Sequence, residues 1–273
     1  MSDLQNLILT RNGNILHVTL NHPATRNALS RQMVTELREV AKQSMQDAGL
    51  RCLVLRGARG NFCAGGNFAD FQQMIQSPAP AEGEDPIAIA NREFGRMLQE
   101  WLKLPQVVIA VVEGAAMGGG LGLVAIADMV LTEGGAQFAM PETSIGLPPA
   151  QIAPFVALRI GQSQTRRLAL TAAKLDGWQA LQAGLVSEVL EGATELEVAL
   201  QKALRSILRS APRALASTKA ILQHRDAVWI DETLDFAAQQ FAKALRNGDA
   251  AEGVSAYTEK RTAVWVELPP EAA

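Results

Sequence analysis

The sequence has 273 residues, enough for about two domains at roughly 150 residues each. Its 25 Lys and Arg are outnumbered by 28 Asp and Glu, so it lacks the excess of positive charge on which nucleic-acid binding proteins depend. Its 3 His and 2 Cys are too scattered for a zinc site, a redox CxxC motif or a disulfide framework. Charged Glu113 and Asp128 interrupt the apolar stretches, and the first residues lack the cationic start of a signal peptide, so we expect a cytoplasmic protein with no membrane span.

The N-terminal part alternates strands with helices. Residues 7–11 and 15–20 read as strands joined by the turn signal Asn12-Gly13-Asn14. Ser30 predicts the cap of a helix that runs to about residue 47, and residues 52–56 predict a buried parallel strand.

The middle of the chain continues this pattern. Residues 76–86 have the composition of a disordered segment, and Asp85-Pro86 then predicts the start of a helix that ends at Lys103. We predict a strong strand over 107–112, a glycine-rich turn into a short helix over 114–127, and short strands at 130–132 and 137–139.

From about Gln164 the pattern is helical to the end. The predicted helices cover 163–173, 177–183, 193–210, 213–245 and 248–260. The longest of them contains His224, whose side chain is expected to pack against other residues and not to take part in catalysis. Strand–turn–helix units followed by helices predict an α/β core with an α-rich C-terminal subdomain.

Two glycine-rich segments follow predicted strands. Phe62-Cys-Ala-Gly-Gly-Asn67 comes after the strand at 52–56, and Gly118-Gly-Gly-Leu-Gly122 comes after the strand at 107–112. Glycine permits a sharp turn with positive φ, and the first N–H groups of a helix have no intrahelical acceptor. Two such loops that direct N–H groups at one point would form an oxyanion hole, whereas each loop alone is more often a plain tight connection.

The second loop has a competing interpretation. Gly120-Leu-Gly122-Leu-Val-Ala125 fits the dinucleotide-binding fingerprint, with Glu142 at the distance of a ribose-binding acid. Two short predicted strands lie between the glycines and Glu142, which weakens the match. An NAD-binding oxidoreductase remains the alternative from a different class.

Five ordered motifs resemble the crotonase (enoyl-CoA hydratase/isomerase) superfamily. They are Arg26-Asn-Ala-Leu-Ser30, Phe62-Cys-Ala-Gly65, Gly118-Gly-Gly120, Pro141-Glu142, and Glu259-Lys-Arg261 with Trp265. The resemblance implies an α/β fold with a ClpP-like ββα spiral core over residues 1–205 and a helical C-terminal subdomain over 206–273. It also implies an acyl-CoA thioester substrate, no metal, no cofactor beyond the substrate's coenzyme A, and a homotrimer or a hexamer made of two trimers.

The resemblance assigns roles to individual positions. The N–H groups of Gly66 and Gly119 would hold the thioester oxygen, and Glu142 would be the acid–base residue. Coenzyme A would be bound by Arg26, Ala28, Ala64, Gly66, Asn67, Phe68 and Lys260.

Several positions depart from the family pattern. Hydratases of the family carry a second glutamate two residues after the glycine triplet, where this sequence has Gly122. Asn67 replaces a usual Asp, Ala150 replaces a frequent Gly, and Glu113 is an unusual acid that is more often structural than catalytic. A single glutamate suits either a hydratase or a Δ3,Δ2-enoyl-CoA isomerase, and a CoA-binding protein with little activity is a third alternative.

The segment after Pro149 narrows the substrate. Pro149-Ala-Gln-Ile-Ala-Pro-Phe-Val156 with Arg159-Ile-Gly161 is similar to methylglutaconyl-CoA hydratases and to isohexenylglutaconyl-CoA hydratases of acyclic terpene degradation. We therefore expect hydration of a branched glutaconyl-CoA such as isohexenylglutaconyl-CoA. Phe68, Phe71, Met74 and the segment 76–86 would line an apolar pocket for its tail. Cys63, with no His nearby in the sequence, is expected to be a structural thiol.

Overall fold

The computed structural model describes residues 4–78, 82–223, 227–246 and 249–265. His224, part of the 76–86 segment and the last residues of the predicted C-terminal subdomain lie outside these ranges. The strands in the described residues are β1 (Leu7–Asn12), β2 (Ile15–Leu20), β3 (Cys52–Gly57), β4 (Val107–Val112), β5 (Ala115–Met117), β6 (Met129–Glu133), β7 (Gln137–Ala139), β8 (Lys174–Leu175) and β9 (Glu188–Leu190).

Ten α-helices occur in the same ranges. They are α1 (Arg31–Gln46), α2 (Phe68–Gln76), α3 (Pro86–Leu102), α4 (Gly119–Ile126), α5 (Ala153–Thr171), α6 (Gly177–Gln182), α7 (Ala193–Arg209), α8 (Pro212–Gln223), α9 (Ala227–Arg246) and α10 (Asp249–Glu259). None of the helices described is long and apolar enough to cross a bilayer.

The strands form two sheets. The larger sheet has the order β1-β2-β3-β4-β6-β9, in which β1 and β2 form an antiparallel hairpin and every other pairing is parallel. The smaller sheet has the order β5-β7-β8. Because β3 and β4 are parallel neighbours, the loops that follow them leave from the same edge of the large sheet.

The large sheet is covered on both faces, which explains its apolar strands. Leu53 and Leu55 of β3 belong to the main core with Met33 and Leu37 of α1. Cys52 and Val54 point to the opposite face, where they join a second core. The helix covering that second face is α7, through Leu196, Leu200 and Leu204.

The sequence predicted most of these elements, and the α/β fold with a parallel sheet is confirmed. The prediction of an all-helical region after residue 164 was wrong, because β8 and β9 interrupt it. These strands have two and three residues, too few to show the alternating hydrophobic pattern of a strand in the sequence. They form because β8 pairs with β7 and β9 pairs with β6. The helix expected to start near residue 163 begins at Ala153, with a non-helical Gly161 at φ 76° inside it.

The predicted boundary between residues 205 and 206 falls within α7. Beyond that point α9 packs along α3, and Arg92 of α3 forms ion pairs with Asp231 and Asp235 of α9. Through α9, the C-terminal helices therefore form one wall of the cavity beside the two glycine-rich segments.

Candidate active site

The loops after β3 and β4 are joined by backbone hydrogen bonds. The Cys63 N–H donates to the Ala115 carbonyl at 2.8 Å, and the Met117 N–H donates to the Cys63 carbonyl at 2.9 Å. At Gly65, with φ 102°, a Cβ would lie 3.1 Å from the Met117 carbonyl oxygen. The two glycine-rich segments thus meet at one point, as an oxyanion hole requires.

Gly66 presents its N–H to the cavity between these loops. Leu29 donates its N–H to the Gly65 carbonyl at 2.7 Å and accepts from the Asn67 N–H at 3.3 Å, forming a parallel bridge opposite Gly66. In such a bridge the N–H of the central residue points away from the partner strand. Within the described chain the Gly66 N–H has no acceptor, and Gly66 lines the cavity.

Gly119 supplies a second N–H at the same place. It is the first residue of α4, so its N–H has no intrahelical acceptor and lies at the positive end of the helix dipole. A Cβ on Gly119 would lie 2.8 Å from Leu29 Cδ1, so a larger residue here would displace the Leu29 side chain. Gly66 and Gly119 line one cavity of about 350 Å³.

Glu142 lines the same cavity as these two glycines. It begins a 3-10 turn over Glu142–Ile145, and its Oε1 lies 2.5 Å from the position of a Cβ on Gly118. Its Oε2 is buried and has no hydrogen-bond partner in the described residues. Burial raises the pKa of Glu142 to about 7, so this carboxyl can both accept and donate a proton near neutral pH.

The position of the second family glutamate is apolar. A Cβ on Gly122 would lie 3.2 Å from Leu98 Cδ1, 3.5 Å from Ile152 and 3.6 Å from Phe94. Glu113 does not line the cavity. Burial raises the pKa of Cys63 to about 12, so this thiol stays protonated and is no nucleophile near neutral pH. Glu142 is therefore the carboxyl with a raised pKa that lines the same cavity as Gly66 and Gly119.

Helices form the rest of the cavity. Its apolar lining comes from α1, α2, α3, α9 and the segment before α5, and includes Val34, Phe71, Met74, Phe94, Ile152 and Phe241. Phe71 and Met74 were predicted to line a pocket, but Phe68 stacks on Tyr257 of α10 with ring centroids 4.6 Å apart and does not line this cavity.

A family model described as enoyl-CoA hydratase/isomerase matches residues 10–268. The chain belongs to the enoyl-CoA hydratase/isomerase family. It is 31% identical over 260 residues to the 2,3-dehydroadipyl-CoA hydratase of Escherichia coli K12, with 95% of this chain and 98% of the relative covered. It is 30% identical over 249 residues to the 1,2-epoxyphenylacetyl-CoA isomerase of the same organism, with 91% and 93% covered.

Solved structures agree with this membership. A crystal structure of an enoyl-CoA hydratase/isomerase from Marinobacter aquaeolei is 43% identical with a TM-score of 0.78, covering 96% of this chain and 99% of that one. The structure of Pseudomonas aeruginosa AtuE is 44% identical with a TM-score of 0.77, covering 96% and 100%. The chain is thus a crotonase-fold enzyme of the enoyl-CoA hydratase type.

Family membership also accounts for the dinucleotide-like fingerprint. A Cβ on Gly120 would lie 2.7 Å from both the Cβ and the carbonyl oxygen of Cys63, so this glycine lets α4 approach the first loop. The fingerprint therefore marks close packing of the two loops, and the glycine spacing alone could not distinguish this from phosphate binding.

The predicted coenzyme A residues lie in two regions. The Arg26 carbonyl accepts from the Ala64 N–H at 3.0 Å, which places the segment containing Ala28 beside the first loop. Lys260 follows the end of α10 with φ 55°. Of the predicted set, Gly66 and Asn67 line the cavity, whereas Arg26, Ala28, Ala64, Phe68 and Lys260 do not.

Asn67 has a local role that its sequence position did not reveal. Its side-chain oxygen accepts from the Ala69 N–H at 2.9 Å and caps α2. An Asp would serve as a cap equally well, so the Asn keeps this function without a charge.

The sequence reasoning also missed Asn91 and Gln151, two amides of the cavity wall whose side-chain oxygens are buried. Neither residue lies in a recognisable motif. Only the packing of α3 against α9 and the segment before α5 brings them to the cavity.

Proposed function

We propose that this enzyme adds water across the α,β double bond of an acyl-CoA, with a branched glutaconyl-CoA such as isohexenylglutaconyl-CoA as substrate. The observation that carries the reaction is Glu142, which lines the same cavity as Gly66 and Gly119 and whose Oε2 is buried without a hydrogen-bond partner in the described residues. The substrate supplies the coenzyme A, and no further cofactor takes part.

The proposed mechanism uses one carboxyl for both proton transfers. The thioester oxygen accepts from the N–H groups of Gly66 and Gly119, which stabilise the negative charge that develops there. Ionised Glu142 takes a proton from water while the water oxygen bonds to the β-carbon and the π electrons move to the thioester oxygen. Glu142 then returns the proton to the α-carbon, which regenerates the carboxylate and completes the addition of H and OH.

The lining of the cavity supports a substrate with an apolar tail and an anionic group. Phe71, Met74 and Phe241 provide apolar surface for the tail. Arg31 also lines the cavity, and its guanidinium has no partner in the part of the chain that is described. A glutaconyl group ends in a carboxylate, and the Arg31 guanidinium would attract it. The dehydroadipyl group in the name of one relative also ends in a carboxylate.

A Δ3,Δ2-enoyl-CoA isomerase is the second candidate, and the apolar surroundings of Gly122 favour it. With one carboxyl near the thioester, a proton can move between two carbons without any addition of water. Mass analysis separates the two reactions, because hydration adds the mass of water and isomerisation adds none.

The decisive experiment incubates the enzyme with straight-chain enoyl-CoA, methylglutaconyl-CoA and isohexenylglutaconyl-CoA and identifies products by mass. We expect hydration, fastest with the isohexenyl substrate. Glu142→Gln should lower kcat by about 10²–10⁴-fold, since the amide can neither take nor return a proton. Hydration near the wild-type rate in Glu142→Gln would contradict the mechanism, and a product of unchanged mass would establish the isomerase.

We also propose that the enzyme works in the cytoplasm as a homotrimer or as a hexamer of two trimers. Ile221 and Leu222 on α8 are each 74% exposed and Phe236 on α9 is 66% exposed, which favours burial in an assembly. Light scattering after size exclusion would give the mass, and a monomer would overturn the proposal.

A further inference from the structure

Three residues that line the reaction cavity each have a buried side-chain oxygen with no hydrogen-bond donor within the described residues. They are Glu142 Oε2, Asn91 Oδ1 and Gln151 Oε1. Buried polar atoms in folded proteins are nearly always satisfied. For an oxygen that faces the cavity, the missing donor is therefore expected from whatever fills the cavity.

Most other polar residues of the wall already have internal partners. Ser30 Oγ accepts from the Met33 N–H at 3.2 Å, and Arg38 forms an ion pair with Glu93. By contrast, neither end of the Asn91 side-chain amide has a partner in the described part of the chain. Asn91 thus has no structural hydrogen bond to explain a polar group at this place.

The side-chain amide of Gln151 is held by α9, and its oxygen faces α3. Its Nε2 donates to the Leu234 carbonyl of α9 at 2.8 Å, which fixes the orientation of the amide. Its Oε1 lies 1.8 Å from where a Cβ on Gly95 would stand, so this oxygen faces the backbone of α3. Of the two amides, Asn91 is the one free to serve the cavity.

Asn91 shares the cavity with Glu142 and the two glycines, and its helix carries the ring that reaches the reacting end. It precedes Phe94 on α3 by three residues, so the two side chains are neighbours on one helix face. The tip of the Phe94 ring is 3.3 Å from a Cβ on Gly119 and 3.6 Å from a Cβ on Gly122. Asn91 therefore lies one helical turn from the ring that borders both a proposed N–H donor and the position where the family's other glutamate is missing.

We propose that the Asn91 side-chain oxygen is the second acceptor for the attacking water, in place of the absent glutamate; this rests on the proposed hydration. A water molecule has two O–H donors, and Glu142 Oε2 with Asn91 Oδ1 supplies one acceptor for each. Glu142 removes one proton as the water oxygen bonds to the β-carbon. The hydrogen bond to Asn91 orients the lone pair, and Asn91 neither gains nor loses a proton.

The test compares two reactions of the same site. Asn91→Leu keeps the approximate size of the side chain but removes the acceptor. We expect kcat for hydration to fall about 10–100-fold, as for loss of one hydrogen bond in a buried site, with little change in KM. Exchange of the α-proton of the saturated acyl-CoA with deuterium oxide needs only Glu142 and the two N–H groups, so its rate should stay at the wild-type value.

Two variants complete the experiment. Asn91→Asp restores an acceptor and should recover hydration relative to Asn91→Leu. Gln73→Leu makes the same kind of change at an exposed site on α2 that does not line the cavity, and should leave both reactions unchanged.

An equal fall of hydration and exchange in Asn91→Leu, or hydration at the wild-type rate, would overturn the role of Asn91. Absence of hydration in the wild-type enzyme would instead overturn the proposed function itself. The two failures are therefore distinguishable.

Discussion

At the reacting end of the cavity, backbone hydrogen bonds between two strand-derived loops hold Gly66 and Gly119, whereas at the acyl end the wall consists of side chains from α2, α3 and α9. The loops continue from β3 and β4, whose residues at the centre of the sheet are fully buried. No residue of α2 is fully buried. We infer that the two loops, which backbone hydrogen bonds hold in place, carry the chemistry that the family shares. The side chains of the helices at the acyl end determine the substrate preference.

Among changes that leave Glu142 itself in place, the largest effect should follow from a single methyl group added at the reacting end. Gly118 has φ 49° and ψ −117°, and a Cβ there would lie 2.5 Å from Glu142 Oε1. Gly118→Ala therefore strains the backbone and displaces the carboxyl, and we expect kcat to fall about 10²–10³-fold.

Gly135→Ala is the matched control, because a Cβ there meets nothing within 4 Å and Gly135 has no positive φ. Steady-state kinetics and circular dichroism on both variants provide the measurement. A Gly118→Ala enzyme as active as Gly135→Ala would show that the position of Glu142 does not depend on this turn.

The second effect concerns stability and pH. The folded protein holds Glu142 at a pKa of about 7, above its ordinary value of 4.5, because burial disfavours the charge. The folded state therefore keeps a proton that the unfolded state releases, and this contribution to stability is lost as pH rises from about 4.5 to about 7. Relative to Glu142→Gln, the wild type should lose about 3 kcal/mol of unfolding free energy over this range.

Urea denaturation at a series of pH values measures this difference. Glu188→Gln, at an exposed position in β9, controls for a change of carboxyl to amide outside the cavity. Parallel pH dependence in the wild type and Glu142→Gln would contradict a raised pKa at Glu142.

The same contrast explains what the sequence predicted. The parallel strands are apolar runs because both faces of the sheet are covered, so 52–56 and 107–112 were recognisable. The meeting of the two glycine loops follows from adjacent parallel strands, and Glu142 came from its motif. Asn91 was missed because the cavity that it lines is assembled from several elements distant in the sequence, and an Asn in an amphipathic helix carries no signal that its oxygen is buried.

The smallest effect lies where the two regions touch. A Cβ on Gly66 would stand 2.4 Å from Phe71 Cζ, the tip of a ring on α2. The ring can turn away, and Gly66 has no positive φ, so we expect Gly66→Ala to lower kcat/KM only about 10-fold, less than the loss of a whole oxyanion donor. In a Phe71→Ala background the added methyl meets no ring, so the same substitution should cost much less. Kinetics on the four enzymes of this double-mutant cycle measure the coupling. An equal cost in both backgrounds would mean that the rigid loop, and not the helical wall, limits the space at Gly66.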